Sequence, residues 1–240
     1  MKELKTLCDL IKDSEHTVFF TGAGVSTDSG IPDFRGEKGL YKDQGLGNEY
    51  FLSRECLVDE PEKFYEFFRK NMLFPDAKPN FVHRAMARLE DAGLANAVIT
   101  QNIDGLHAAA GSKKVIELHG NCRDYYCMRC GKSYTRSFVE SCGGICRCDD
   151  CGAVVRPDVI LYGEALSKKT LEEAEYECQR AELVIACGTS LRVWPAASFA
   201  QSAKKLAIVN LSPTPLDGIA QAVLRLPLGE VFERICAEFF

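Results

Sequence analysis

The stretch Thr17-Val18-Phe19-Phe20-Thr21-Gly22-Ala23-Gly24-Val25-Ser26 decides the fold. Thr17 to Phe20 is a short apolar run of strand length, and two glycines flanking one small residue follow it at once. Glycines so placed let the backbone approach a pyrophosphate closely at the start of a helix. The third position of the dinucleotide fingerprint is Thr27 in place of glycine. No acidic residue ends a second strand about twenty positions on, so the pattern points to a nucleotide and away from hydride transfer. Downstream, Asp28-Ser29-Gly30-Ile31-Pro32-Asp33-Phe34-Arg35-Gly36 is broken by glycine and proline. It reads as a loop that brings an aromatic ring and a guanidinium over the bound cofactor.

Upstream, Leu4, Leu7, Cys8 and Ile11 follow helical spacing. Three more apolar runs of strand length lie at Ala97–Thr100, Leu183–Cys187 and Leu206–Asn210, each preceded by helical periodicity. Strands alternating with helices imply an α/β protein whose parallel sheet is covered by helices on both faces. The runs end in Gly22-Ala23-Gly24, Gln101-Asn102-Ile103-Asp104, Gly188-Thr189-Ser190 and Asn210-Leu211-Ser212. Ligands of open parallel sheets bind beyond the carboxyl ends of the strands, so these four segments are expected to share one crevice. Two stretches break the alternation, and both read as insertions building a smaller lobe. The expected division is a sheet domain from 1–35, 80–120 and 157–240, a helical insertion at 36–79 and a cysteine-rich insertion at 121–156.

At 240 residues the chain has room for one such domain with insertions. No segment approaches the roughly 18 to 20 uninterrupted apolar residues of a membrane span. Twenty-nine Lys and Arg stand against thirty-four Asp and Glu, a formal net charge of -5 that disfavours nucleic acid as a direct ligand. The charged N-terminal stretch lacks the apolar region of a secretory signal, and a cytoplasmic location is expected.

Seven of the twelve cysteines fall between Cys122 and Cys151. In a reducing compartment such a cluster points to metal, and Cys127-Met-Arg-Cys130 with Cys148-Asp-Asp-Cys151 has the spacing of a four-thiolate zinc site. Four thiolates close a tetrahedral zinc to water, so one structural Zn2+ is expected to hold the inserted lobe together. Cys146-Arg-Cys148 offers an alternative pairing, and the matched spacing favours Cys148. Cys122, Cys142 and Cys146 have no assigned role.

His119, in Glu117-Leu118-His119-Gly120 just past Val115-Ile116, is placed to act as a general base at a strand end. His107 is a weaker candidate, while His16 and His83 read as surface or packing residues. Gln101, Asn102 and Asp104 put three polar side chains within four residues, a density that ligand hydrogen bonding explains better than packing. There is no Gly-x-Ser-x-Gly elbow and no Walker loop, which removes elbow-type serine hydrolases and P-loop kinases. The closed cysteine site removes zinc hydrolases.

Gly22-Ala23-Gly24-Val25-Ser26, Gly30-Ile31-Pro32-Asp33-Phe34-Arg35-Gly36, Thr100-Gln101-Asn102-Ile103-Asp104, Glu117-Leu118-His119-Gly120, the paired C-x2-C, Arg156-Pro157-Asp158, Gly163-Glu164 and Gly188-Thr189-Ser190 stand in one order. In that order and over essentially the whole chain they resemble the sirtuins, NAD-dependent protein-lysine deacylases, in particular bacterial or archaeal catalytic cores. The resemblance implies a Rossmann-like domain, a zinc-binding and helical lobe, and a cleft between them for NAD and acyl-lysine peptide. It implies NAD contacts at Gly22, Ala23, Gly24, Thr27, Phe34 and Arg35, with Phe34 shielding the nicotinamide end. Gln101, Asn102, Ile103 and Asp104 would line the ribose and nicotinamide pocket, and Gly188, Thr189, Ser190, Asn210 and Leu228 the adenosine half. Val159, Ile160 and Leu161 would pair with the peptide as an added strand. His119, with Asn102, would be catalytic: the acyl oxygen attacks the ribose carbon that bears nicotinamide, His119 acts as base on the ribose hydroxyls, and lysine and 2'-O-acyl-ADP-ribose leave. The alternatives are protein mono-ADP-ribosyl transfer and a non-catalytic NAD-sensing module. The desuccinylase pair Tyr-x-x-Arg is absent, because Phe68 stands three positions after Tyr65 and Arg69 is one residue out of register. One residue turns a helical side chain by about 100°, so an apolar acyl pocket is expected. Ala165 follows Gly163-Glu164 where asparagine is usual.

Overall fold

The computed structural model describes residues 2–33, 39 and 47–240. In chain order its elements are α1 (Lys2–Lys12), β1 (Thr17–Thr21), α2 (Gly47–Phe51), α3 (Arg54–Asp59), α4 (Pro61–Asn71) and α5 (Phe81–Asp91). Next come β2 (Ala97–Thr100), α6 (Leu106–Ala109), β3 (Val115–Glu117), β4 (Gly120–Cys127), β5 (Ser133–Thr135), α7 (Arg136–Ser141) and β6 (Val155–Val159). The chain ends with α8 (Lys168–Arg180), β7 (Leu183–Cys187), α9 (Ala197–Gln201), β8 (Leu206–Val209), β9 (Ala222–Leu224) and α10 (Leu228–Phe239).

Six strands form one parallel sheet in the order β3-β2-β1-β7-β8-β9. Successive residues of a strand point to opposite faces, and the apolar runs therefore feed two cores. Phe19, Val98, Ile185 and Ala207 join one core with α1, α5 and α10, where Leu7, Met86 and Phe232 are sealed from solvent. Phe20, Ile99, Val184 and Ile208 join the other with Ala174 of α8 and Phe199 of α9. Each large apolar side chain so buried stabilises the fold by about 1.5 to 3 kcal/mol, which is why runs with no polar alternation suit this sheet. The sequence shows the four long strands and, before His119, the short run Val115-Ile116 that is β3; β9, three residues at the other edge, is too short to stand out.

Among the described residues, β5-β4-β6 form a small antiparallel sheet. A third core joins it to the helical insertion: Phe64, Tyr65 and Phe68 of α4 pack with Tyr125, Val139, Val155, Val159 and Leu161. The two insertions are thus one lobe. We keep the division of the chain as a proposal, and note that β6 runs across its boundary at position 157, where Val155 and Val159 bury into the small lobe. No helix among the described residues is long and apolar enough to cross a membrane.

Candidate active site

The strand order reverses between β1 and β7, and the first two glycine turns meet there. Gly24 N–H donates to Gly188 O at 2.9 Å, and Gly22 N–H to Cys187 O at 3.1 Å. A Cβ on Gly24 would lie 2.8 Å from Gly188 Cα, and one on Gly22 2.8 Å from Thr189 Cβ. Gly188 itself has φ +59. These glycines therefore serve first to let two strand-end turns touch. The expected helix start is corrected: the chain makes two single 3-10 turns, Ala23–Val25 and Thr27–Ser29, and stops at Gly30 in the left-handed region, φ 83. Phe34 and Arg35 lie outside the described residues.

Over this switch point opens a cleft of about 1090 Å³. Gly22, Ala23, Gly24, Thr27, Gln101, Asn102, Ile103, His119, Val159, Ile160, Leu161, Gly188, Thr189, Ser190, Asn210 and Leu228 all line it, so the four strand ends converge as their termini imply. Gln101 spans two of them, its Nε2 donating to Thr189 Oγ1 at 2.9 Å. Asp104 lies off the main cleft, in an adjoining recess of about 40 Å³ that shares Ala23, Asn102, Ile103 and Met72 with it.

His119 Nδ1 sits 3.0 Å from Gln101 O. A carbonyl only accepts, so Nδ1 carries the proton and Nε2 keeps its lone pair, the tautomer a base needs. Burial lowers the pKa of His119 below 6.5, partly opposed by the hydrogen bond to Gln101. The ring is therefore neutral at pH 7.

Behind Asn102 and Asp104 lies a polar network. Asn102 Nδ2 donates to Ser26 Oγ at 3.1 Å, and Ser26 Oγ donates to Asp104 Oδ2 at 2.6 Å. His83 takes the Asn80 N–H at Nδ1, capping α5, which leaves its Nε2–H directed at Ser26 Oγ, 3.4 Å away. His107 stacks edge-on against His83 at 4.8 Å and meets Thr21 Oγ1 at 3.0 Å. Burial drives the pKa of His83 down to about 4 and that of His107 to about 3, so both stay neutral. Burial also raises the Asp104 pKa against the hydrogen bonds that lower it. His107 is removed from the cleft by this arrangement, whereas Ser26 and His83 belong to the site's support and carried no such signal in the sequence. His16 pairs at a distance with Glu177.

Val159–Leu161 is held extended from inside. Arg156 Nη2 donates to Val159 O at 2.6 Å and to Glu164 Oε2 at 2.8 Å, and that carboxylate accepts the Leu161 N–H. Ile160 N–H donates to His119 O, and Tyr162 N–H to Leu52 O. Phe68, Met72 and Val193-Trp194-Pro195 also line the cleft, and nothing in their sequence context marked the last three. Arg69 faces elsewhere, with Nη2 3.4 Å from Cys146 Sγ.

The Sγ atoms of Cys127, Cys130, Cys148 and Cys151 all lie within 4.8 Å of one another. Tetrahedral zinc with Zn–S bonds of about 2.3 Å separates sulfurs by about 3.8 Å. Cys127–Cys151 at 3.4 Å and Cys130–Cys148 at 3.6 Å fit that geometry. Tyr134 OH, 3.1 Å from Cys148 Sγ, and Arg129 N–H, 3.4 Å from Cys127 Sγ, supply outer hydrogen bonds.

Strand order, switch-point cleft and a four-cysteine lobe define a doubly wound α/β protein with an inserted zinc-binding module. The Sir2 family model matches residues 22–195, and the chain belongs to the Sir2 family. The NAD-dependent protein deacetylase of Thermotoga maritima is 45% identical over 246 residues, 98% of each chain. A solved structure described as Sir2-p53 peptide-NAD+ superposes with TM-score 0.88 at 44% identity, covering 98% of both chains. Sir2 with the inhibitor EX-527, 2'-O-acetyl-ADP-ribose and deacetylated p53 peptide gives the same TM-score, 0.88, at 44% identity and 98% coverage of both.

Proposed function

We propose that this chain removes acetyl or other uncharged acyl groups from protein lysines, consuming NAD and releasing nicotinamide and 2'-O-acyl-ADP-ribose. The observation that carries the reading is a neutral His119 with a free Nε2, set in the same cleft as the glycine turns and Asn102. Relatives named NAD-dependent protein deacetylases support it, as do Sir2 structures described with NAD+ and peptide.

Ala23, Gly24, Thr27, Gly188, Thr189, Ser190, Asn210 and Leu228 would hold the dinucleotide, and Gln101, Asn102, Ile103 and Asp104 its nicotinamide end. NAD, when bound, supplies an ADP-ribosyl electrophile once nicotinamide leaves. His119 takes a proton at Nε2 from a substrate hydroxyl, and Gln101 O holds Nδ1–H so that the imidazolium formed keeps its orientation. Ser26 fixes the Asn102 amide. Val159–Leu161 presents backbone to an acyl-lysine peptide, a mode that reads main chain more than side chains. Zinc would hold the small lobe and take no part in the chemistry. We place the protein in the cytoplasm, a reading supported by twelve cysteines of which none is in a disulfide and four are grouped as for a metal.

Mass spectrometry of the protein with NAD and acetyl-, longer-acyl- and succinyl-lysine peptides, beside His119→Ala, tests this. Acyl loss matched by 2'-O-acyl-ADP-ribose, absent without NAD and abolished in the variant, is expected. ADP-ribose retained on protein, or unchanged peptides with bound NAD, would overturn it.

A further inference from the structure

Three cysteines of the small lobe stand outside the four-thiolate group. Cys122 is sealed against Met72 O. Cys142 and Cys146 are placed differently. They bracket the loop Cys142-Gly143-Gly144-Ile145-Cys146 that follows α7, and their thiols sit against consecutive carbonyls of that helix, close enough for Cys142 to act on the Cys146 thiol. A Cβ on Gly143 or Gly144 would meet nothing within 4 Å, so both glycines face open space. Cys142 is half-buried, with Sγ 3.3 Å from Phe138 O, while Cys146 is fully buried, with Sγ 3.6 Å from Val139 O. Arg69 caps the loop from α4: Nη2 lies 3.4 Å from Cys146 Sγ and also donates to Gly144 O, with the guanidinium 4.8 Å from the Tyr65 ring centroid. The out-of-register arginine thus has a definite partner, and that partner is a dithiol.

We propose that Cys142 and Cys146 are an oxidant-reactive pair that closes to an intrachain disulfide when a hydroperoxide reaches the small lobe, leaving the zinc group intact. The accessible Cys142 sulfur attacks the peroxide oxygen, the O–O bond breaks, and a sulfenic acid forms as water or alcohol leaves. The Cys146 sulfur, held in place by Arg69, then attacks the Cys142 sulfur. The S–O bond breaks, and the hydroxide released departs as water with the Cys146 proton. Two thiols lose two electrons and two protons, and the peroxide takes both. Zinc-site sulfurs each give a lone pair to the metal, which lowers their nucleophilicity below that of a free thiolate. Phe68, next to Arg69 on α4, and Met72, at that helix's end, line the cleft, so closure bears on the wall of the acyl pocket.

Peptide mapping of the zinc-loaded protein after brief exposure to hydrogen peroxide tests this without reference to deacylation. Both thiols fall in one tryptic peptide, Ser137–Arg147. It is expected to lose about 2 Da and resist alkylation, with zinc retained and the change reversed by dithiothreitol. Cys142→Ser should abolish the loss, and Arg69→Ala should slow it by about fivefold or more by releasing the loop. Oxidation mapping first to Cys127, Cys130, Cys148 or Cys151 with zinc release would overturn the proposal. So would sulfinic acid at Cys142 with Cys146 still alkylatable.

Discussion

His119 carries a prediction that needs its sign worked through. Burial lowers its pKa below 6.5, so the base-competent neutral form persists to lower pH than for a free imidazole. The acid limb of kcat/KM should therefore fall below pH 6.5, and a limb at or above that value would contradict the geometry. Gly24→Ala should cost about 1 to 3 kcal/mol, read as a lowered Tm, because the added carbon meets Gly188 backbone that cannot turn aside. At this scale the sequence makes His119, Asn102 and the glycine turns legible, since each sits at a strand end among polar neighbours. Ser26, His83 and His107 are not legible in that way. Their partners lie 57 to 86 residues apart, and a buried neutral histidine looks like any other histidine until its neighbours are known.

Among the elements, α4 shows how a one-residue shift in register acts. Phe68 and Met72 reach the cleft, Tyr65 is buried, and Arg69 is tied to the cysteine loop, so α4 offers no guanidinium to a carboxylate. Acetyl-lysine peptide should be turned over about tenfold or more faster than succinyl-lysine, whose charge would enter an apolar pocket unpaired. Equal kcat/KM values would refute this. On α8, Glu177 is buried between His16 and Lys114 at 3.0 and 2.5 Å. Desolvation raises its pKa, but the hydrogen bonds from Lys114 and His16 outweigh that and leave it below 4.5. Its stabilisation is therefore present above the unfolded-state pKa and is lost as pH falls through the lower folded value. Glu177→Gln should cost about 1.5 to 3 kcal/mol at pH 7 and flatten the acid side of the stability profile, measured by urea unfolding across pH. The long strands were legible as unbroken apolar runs. The edge strand β9 was not, because three residues carry no period, and β3 was visible only as the short run Val115-Ile116.

For the whole molecule, zinc and the large sheet stabilise different regions. The sheet has two apolar cores of its own, whereas the small lobe shares a single core with its metal site. Chelation should strip amide protection from residues 120–161 while β1, β2, β7 and β8 keep theirs, which hydrogen exchange resolves directly. One structural continuity then acquires a practical meaning. β4 begins at the residue after His119 and ends at Cys127 of the four-cysteine group, so one strand, with a register shift between Gly120 and Tyr125, joins the proposed base to the proposed zinc ligands. Such a segment works as a lever: slackening its far end when the metal leaves should loosen the near end. Activity titrated against zinc occupancy should then track the metal-loaded fraction, making the chain a gauge of zinc supply as well as a consumer of NAD.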